Sequence, residues 1–157
     1  MRKPRMTNSL GIENNAGLST YLTGVTSLDA SIKKTKVPNL FIMPSGPTPP
    51  NPTELLTSGK TAQLLEVLKT NFSRVIIDSP PVLTVADAAI LANIADGVVD
   101  VIRAGVSNVE LVVRGRQRLN EVKARIIGVI LNNVNVKKED PYYYYHYYYA
   151  QDKEKKT

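Results

Sequence analysis

The residues of this chain that could do chemistry are one carboxylate and one run of phenols. Asp78 closes the stretch Arg74-Val75-Ile76-Ile77-Asp78-Ser79-Pro80-Pro81. Three β-branched apolar residues in a row favour a strand buried on both faces, and two prolines that cannot donate to a ladder stop it. Asp78 is thereby expected at the carboxyl end of a central parallel strand, where open α/β sheets bind ligands. A carboxylate there can hold the water shell of a Mg²⁺ ion bound to nucleotide phosphates. The plainer alternative is that Asp78 only caps the following turn. The phenols are Tyr142, Tyr143, Tyr144, Tyr145, Tyr147, Tyr148 and Tyr149, interrupted by His146; they are seven of the eight tyrosines. They follow neither a helical nor an alternating period, so they cannot all face a core. They form either a sticky low-complexity tail or a cluster of phosphoacceptors, where each phosphate would add about −1.5 to −2 charges.

The elements that must position these groups alternate between apolar runs and amphipathic stretches. Leu18, Tyr21 and Leu22 share one face of a short helix between Gly17 and Gly24, and Leu28 and Ile32 pack a second short element. Asn39-Leu40-Phe41-Ile42-Met43 is the first expected strand, ended by Pro44, and residues 45–50 are proline-rich loop. Asn51 is expected to cap a helix from Pro52 to Thr57. Ser58-Gly59-Lys60-Thr61 matches the end of the phosphate-loop pattern G-x-x-x-x-G-K-S/T, but Glu54 stands where the first glycine belongs and a helix precedes it. Gly59 therefore reads as a break between two helices. Further helices are expected over 61–68, 85–92 and from Asn108 to about Lys123, the last capped by Ser107. Further strands are expected at 98–102 and 126–131. Arg114, Arg116, Arg118, Lys123 and Arg125 form a solvated basic face. The fold class is thus α/β: a parallel sheet of four strands with helices on both faces, three layers in all. Residues 1–136 form the domain and residues 137–157 a flexible tyrosine-rich tail.

Composition narrows the chemistry. The 157 residues contain no cysteine, which excludes disulfides, thiolate zinc sites and cysteine nucleophiles. The apolar fraction is 43% and the formal net charge +6, which suits acidic partners such as phosphates or an anionic surface. Nucleic acid is disfavoured, because outside the tail there are almost no aromatic residues on which bases could stack.

Several segments taken together resemble the bacterial tyrosine kinases of capsular and exopolysaccharide synthesis. These are Asn51-Pro52-Thr53-Glu54-Leu55-Leu56, Val75-Ile76-Ile77-Asp78-Ser79-Pro80-Pro81 with Asp87-Ala88, Gly128-Val129-Ile130-Leu131-Asn132, and the tyrosine cluster. The resemblance implies a P-loop NTPase-like fold that uses ATP and Mg²⁺ to phosphorylate tyrosines on its own tail. It implies that Asp78 is the Walker B carboxylate and reaches the metal through water. It places Asn132 at the adenine, Ser79 and Pro80 in the loop beside the phosphates, and the seven clustered tyrosines as acceptors. The partners implied are a membrane-embedded modulator of polysaccharide polymerisation, other kinase copies in a ring and a cognate tyrosine phosphatase. The implied location is cytoplasmic, at the inner face of the membrane through that modulator.

The sequence also departs from the family. The G-x-x-x-x-G-K-S/T loop and the second acidic motif D-x-D do not occur. Met1-Arg2-Lys3-Pro4 matches the M/L-R-x-P that comes directly after D-x-D, as though the chain started just after its catalytic aspartates. Asp100 interrupts a strand that is apolar in the family, and would need a partner or an edge position. The expectation is a family member not competent alone, with a raw sheet edge that invites association. Two other readings stay open: a partitioning-type ATPase, and a non-catalytic binding or substrate module whose tail is the working part.

Overall fold

A computed structural model describes Thr7 and residues 10–135. In chain order the elements are α1 (Leu18–Leu22), α2 (Leu28–Ser31), β1 (Lys33–Lys34), β2 (Phe41–Ile42), α3 (Pro52–Thr57), α4 (Gly59–Asn71), α5 (Asp87–Ile94), β3 (Val98–Arg103), α6 (Val109–Glu121) and β4 (Ile126–Asn132). The mixed α/β class is as expected, but the strands divide differently. β3 and β4 pair in parallel, Val99 beside Gly128 through Arg103 beside Asn132, with an irregularity between Val98 and Val99. β1 and β2 pair antiparallel as a separate two-stranded sheet. The strand expected at 39–43 thus shrinks to two residues of a hairpin outside the parallel sheet. Asn39, at φ 61°, turns the chain just ahead of it, and β1, two lysines, carried no apolar signal.

The stretch 75–78 joins no ladder among the described residues. Propensity makes it strand-ready, but a strand needs a neighbour's hydrogen bonds, and Ile76 stands 92% exposed. The four-stranded parallel sheet is accordingly a parallel pair. β3 has one ladder neighbour among the described residues, so half-buried Asp100 sits on an edge strand, which answers the conflict its charge posed.

The helices match their sequence signals closely. α3 spans the expected 52–57, with Pro52 in its first turn. Asn51 stands at the N-cap, but its side chain accepts from no backbone N–H; its side-chain amide donates instead to Glu54 Oε2 at 3.2 Å. α4 runs to Asn71, three residues beyond Leu68, and α5 starts at Asp87, two later than Val85. At α6 the cap is Asn108, whose Oδ1 accepts from Glu110 N–H at 2.8 Å, while Ser107 Oγ accepts from Arg103 N–H. The core is helical: Leu22, Leu56, Leu64, Leu65, Ala88, Ala89, Ala92 and Leu119 are buried, and α3 packs on α1 and α5. The alanines of α5 let it approach α3 and α6 closely. By contrast Val99, Val101, Ile127, Val129, Ile130 and Leu131 on the parallel pair are all more than 40% exposed.

Candidate functional site

Asp78 lies in an exposed segment and has no hydrogen-bond or ion-pair partner among the described residues. The chain immediately beyond Asp78 is held in place. Ser79 Oγ donates to the Pro80 carbonyl at 3.2 Å, and Thr84 N–H donates to the Pro81 carbonyl at 3.0 Å, closing a turn. Val82 then rests on α6 at Gly115, where an added Cβ would stand 3.1 Å from its Cγ1. Asp78, Ser79 and Pro80 therefore form the approach to a turn clamped from behind by α6.

Asn132 ends β4 at the carboxyl edge of the parallel pair. Its carbonyl accepts from Ala104 N–H at 2.8 Å, and its side-chain oxygen accepts from Asn133 N–H at 2.8 Å. Asn133 has φ 61°, so the side chain of Asn132 braces the bend by which the chain leaves the strand. No hydrogen bond among the described residues joins Asn132 to Asp78, Ser79 or Pro80. The seven clustered tyrosines lie outside the described residues, as does Met1-Arg2-Lys3-Pro4.

The region around Ser58-Gly59-Lys60-Thr61 bears out its reading as a helix junction. Ser58 caps α4 in an extended conformation, and Gly59 is the first helical residue. Lys60 Nζ donates to the Leu22 carbonyl at 3.2 Å, and buried Thr61 donates to the Leu55 carbonyl at 2.9 Å. Both side chains hold helices together and neither is aimed at an anion. No cluster of three His, Asp, Glu or Cys suited to a metal occurs among the described residues.

Two arrangements escaped the sequence. Thr53 in α3 donates through Oγ1 to Asp87 Oδ1 at 3.0 Å, and Asp87 is only 2% exposed. This bond ties the Asn-Pro-Thr-Glu segment to the first turn of α5, where a carboxylate also meets the positive end of the helix. The signal was an acid opening a small-residue helix, but its partner lies 34 positions away. The second is Asn14, whose amide donates to the Gly46 carbonyl at 2.9 Å while its Oδ1 accepts from Gly46 N–H at 3.0 Å. The side chain substitutes for a strand neighbour and pins the proline-rich loop. Gly46 has φ +73°, and a Cβ there would collide with Ser19 Oγ. An open depression of about 570 Å³ lies beside this loop, lined by Pro50, Asn51, Pro52, Thr53, Glu54 and Thr57.

No protein-family model matches the sequence. The chain is 38% identical over 142 residues to the putative tyrosine-protein kinase CapB of Staphylococcus aureus, covering 90% of this chain and 62% of that protein. The solved chimerical protein CapA2B2 superposes with a TM-score of 0.81 at 38% identity, over 85% of this chain and 59% of that one. The kinase domain of the Escherichia coli tyrosine kinase ETK superposes with a TM-score of 0.82 at 32% identity, over 90% of this chain and 55% of that one. The chain thus spans little more than half the length of the relatives it matches.

Proposed function

This chain belongs to the bacterial tyrosine-protein kinases, and from that membership we propose that it is a component of a tyrosine-kinase system that regulates capsular or exopolysaccharide synthesis and export. The observation that carries the proposal is the 38% identity to CapB over 142 residues. Kinship with kinases implies ATP use. On this reading Asp78 is the carboxylate that faces the water shell of Mg²⁺, Ser79 and Pro80 shape the loop beside the phosphates, and Asn132 stands at the base. Residues 137–157 are the acceptor tail of a domain ending near residue 136, and the clustered tyrosines accept phosphate. The exposure of Asp78 and the fixed turn behind it suit such a role.

Phosphoryl transfer depends on positioning and on neutralising charge around the transferred group. One carboxylate without a phosphate cradle supplies little of either. Residues 1–157 by themselves are therefore an acceptor far more than a catalyst, and a complete kinase of the same family phosphorylates the tail in trans. The partners proposed are such kinase copies, a membrane-embedded modulator and a cognate phosphatase. No helix among the described residues is long and apolar enough to cross a membrane. Attachment at the inner face through the modulator belongs to the family reading.

The test incubates the purified chain with Mg-ATP, alone and with catalytic amounts of CapB, and locates phosphotyrosine by mass spectrometry. Phosphate on residues 142–149 with CapB and none without it is expected. Phosphorylation by the chain alone would overturn the acceptor assignment, and no phosphorylation under either condition would overturn the acceptor role of the tail.

A further inference from the structure

β4 is bonded to β3 on one side, and its other edge is open among the described residues. Exposed edge strands are usually blunted by charge, proline or a bulge. β4 reads Ile-Ile-Gly-Val-Ile-Leu-Asn and has no charged residue and no proline, and the irregularity opposite Val98 and Val99 touches only its start. Successive residues face opposite sides of the sheet. On one side Ile127, Val129 and Leu131 are 61%, 60% and 57% exposed. On the other Ile130 is 52% exposed, and the next residue along that side is Gly128, where an added Cβ would meet nothing within 4 Å. The backbone is open as well. Ala104 N–H donates to the Asn132 carbonyl, so by alternation the N–H and C=O of Ile130 and Gly128 face β3, and those of Val129 and Leu131 face outward.

We propose that β4 pairs antiparallel with β4 of a second copy about a two-fold axis at Val129, joining two parallel pairs into one four-stranded sheet. A two-fold contact must be self-complementary, and three observations show that β4 is. The first is charge. β4 meets itself with no like charges, whereas β3, also open on one edge, carries Asp100 in its middle and would bring two carboxylates together. The second is shape. Only the register with Val129 on the axis pairs position 130 with position 128. Each Ile130 side chain then covers Gly128 of the partner subunit, so both notches fill at once. The same register sets Ile127 beside Leu131 of the partner subunit and gathers six exposed apolar side chains on one face. The third is the backbone. Val129 faces outward, so it exchanges both of its hydrogen bonds with its own symmetry mate.

The area available sets the strength of the pairing. Ile127, Val129, Ile130 and Leu131 together offer on the order of 300 Å² of side-chain surface per copy, well under the ~800 Å² per partner of a standard stable complex. The dimer is therefore transient, formed and lost by otherwise folded chains. It needs neither nucleotide nor an intact kinase, so it stands apart from the function proposed above.

The chain has no cysteine, so single thiols report the register cleanly. Ile127→Cys, Val129→Cys and Leu131→Cys, all at exposed positions on one side of β4, are oxidised in a glutathione buffer, and covalent dimers are read by intact mass. On the axis, Val129 and its mate have Cα atoms about 5.5 Å apart, within disulfide range. Position 127 of one copy lies four residues, about 13 Å, from position 127 of the other, beyond that range, and the same holds for 131. Val129→Cys should therefore dimerise at least about tenfold faster than either of the others alone. An equal mixture of Ile127→Cys and Leu131→Cys should give mostly the mixed dimer. Equal rates at the three positions, a statistical mixture, or no covalent dimer at all would overturn the proposal. In the Val129→Cys chain, adding Gly128→Val fills the notch and should slow dimer formation at least about tenfold; adding Ile130→Ala as well makes room again and should restore most of the rate. Undiminished dimer formation in the first, or no recovery in the second, would refute the register.

Discussion

Replacing Thr53 by valine tests whether the bond to Asp87 holds α3 against α5. Valine keeps the shape and removes the donor. Asp87, 2% exposed, would then lose a hydrogen bond of 3.0 Å at a site that water barely reaches. Hydrogen bonds to charged groups are worth about 1.5–3 kcal/mol, and the loss falls at the upper end when the remaining group is buried. A cost of about 2–3 kcal/mol lowers the folding equilibrium constant by roughly thirty- to two-hundredfold. With a urea slope of about 1–3 kcal/mol per molar, the midpoint should fall by about 1 M with the slope unchanged. Thr53→Ser keeps the hydroxyl and gives up one half-exposed methyl group, at about 0.4 kcal/mol. The measurement is urea unfolding of the full chain monitored by far-ultraviolet circular dichroism. Equal midpoints for the valine and serine variants would refute the reasoning, because the bond would then carry no net stability.

Gly46→Ala forces a side chain into a left-handed turn against Ser19 Oγ; about 1–3 kcal/mol should be lost, lowering the thermal midpoint by several degrees in calorimetry. Ile76→Lys changes a residue 92% exposed, so stability should stay within about 0.5 kcal/mol while self-association in sedimentation velocity falls. A large loss of stability there would mean that Ile76 packs inside the monomer. Lys69 is hydrogen-bonded to Asp96 at 3.0 Å, with Glu66 also in range, and its pKa is raised, chiefly by that bond. A raised lysine pKa stabilises the folded chain below the unfolded value of about 10.4 and stops doing so as pH climbs through the folded value. The pair is exposed and its effect small, so Asp96→Asn should sit slightly below the parent in urea midpoint near neutral pH, and the gap should close in strong salt and as pH climbs through the folded lysine value.

How far the sequence alone reached depended on the range of the interaction. α3 was legible because Pro52 and its short apolar face are local signals, and β4 because 126–131 is an unbroken apolar run. The stretch 75–78 looked just as much like a strand, yet strand formation is a property of pairs, and no neighbour is among the described residues. Asn14 was opaque for the same reason: nothing near it in sequence announces that its amide will serve as a surrogate strand for Gly46. At the candidate site, the position of Asp78 before two prolines was legible, and so was the end of β4 at Asn132. That Lys60 would spend its charge on the Leu22 carbonyl was not. The family resemblance marked Asp100 as out of place in its strand, and the edge of β3 left open among the described residues shows why it can stay there.

The clamp from Asn14 to Gly46 also bears on how the chain reaches this structure. It joins residues 32 positions apart, and closing a flexible loop of that size costs about 3 kcal/mol in chain entropy. Two hydrogen bonds from one amide cannot offset this alone. The loop is shortened first from within: α1 and α2 form on local contacts, β1 finds β2 across six intervening residues, and Leu18 and Ser19 then meet the carbonyls of Pro44 and Ser45. The clamp closes last, on a nearly finished ring. Residues 10–47 should therefore open and close as one cooperative unit, tethered to the rest by Lys60 and by α3, while the parallel pair, whose contacts lie in the last third of the described chain, melts on a separate schedule.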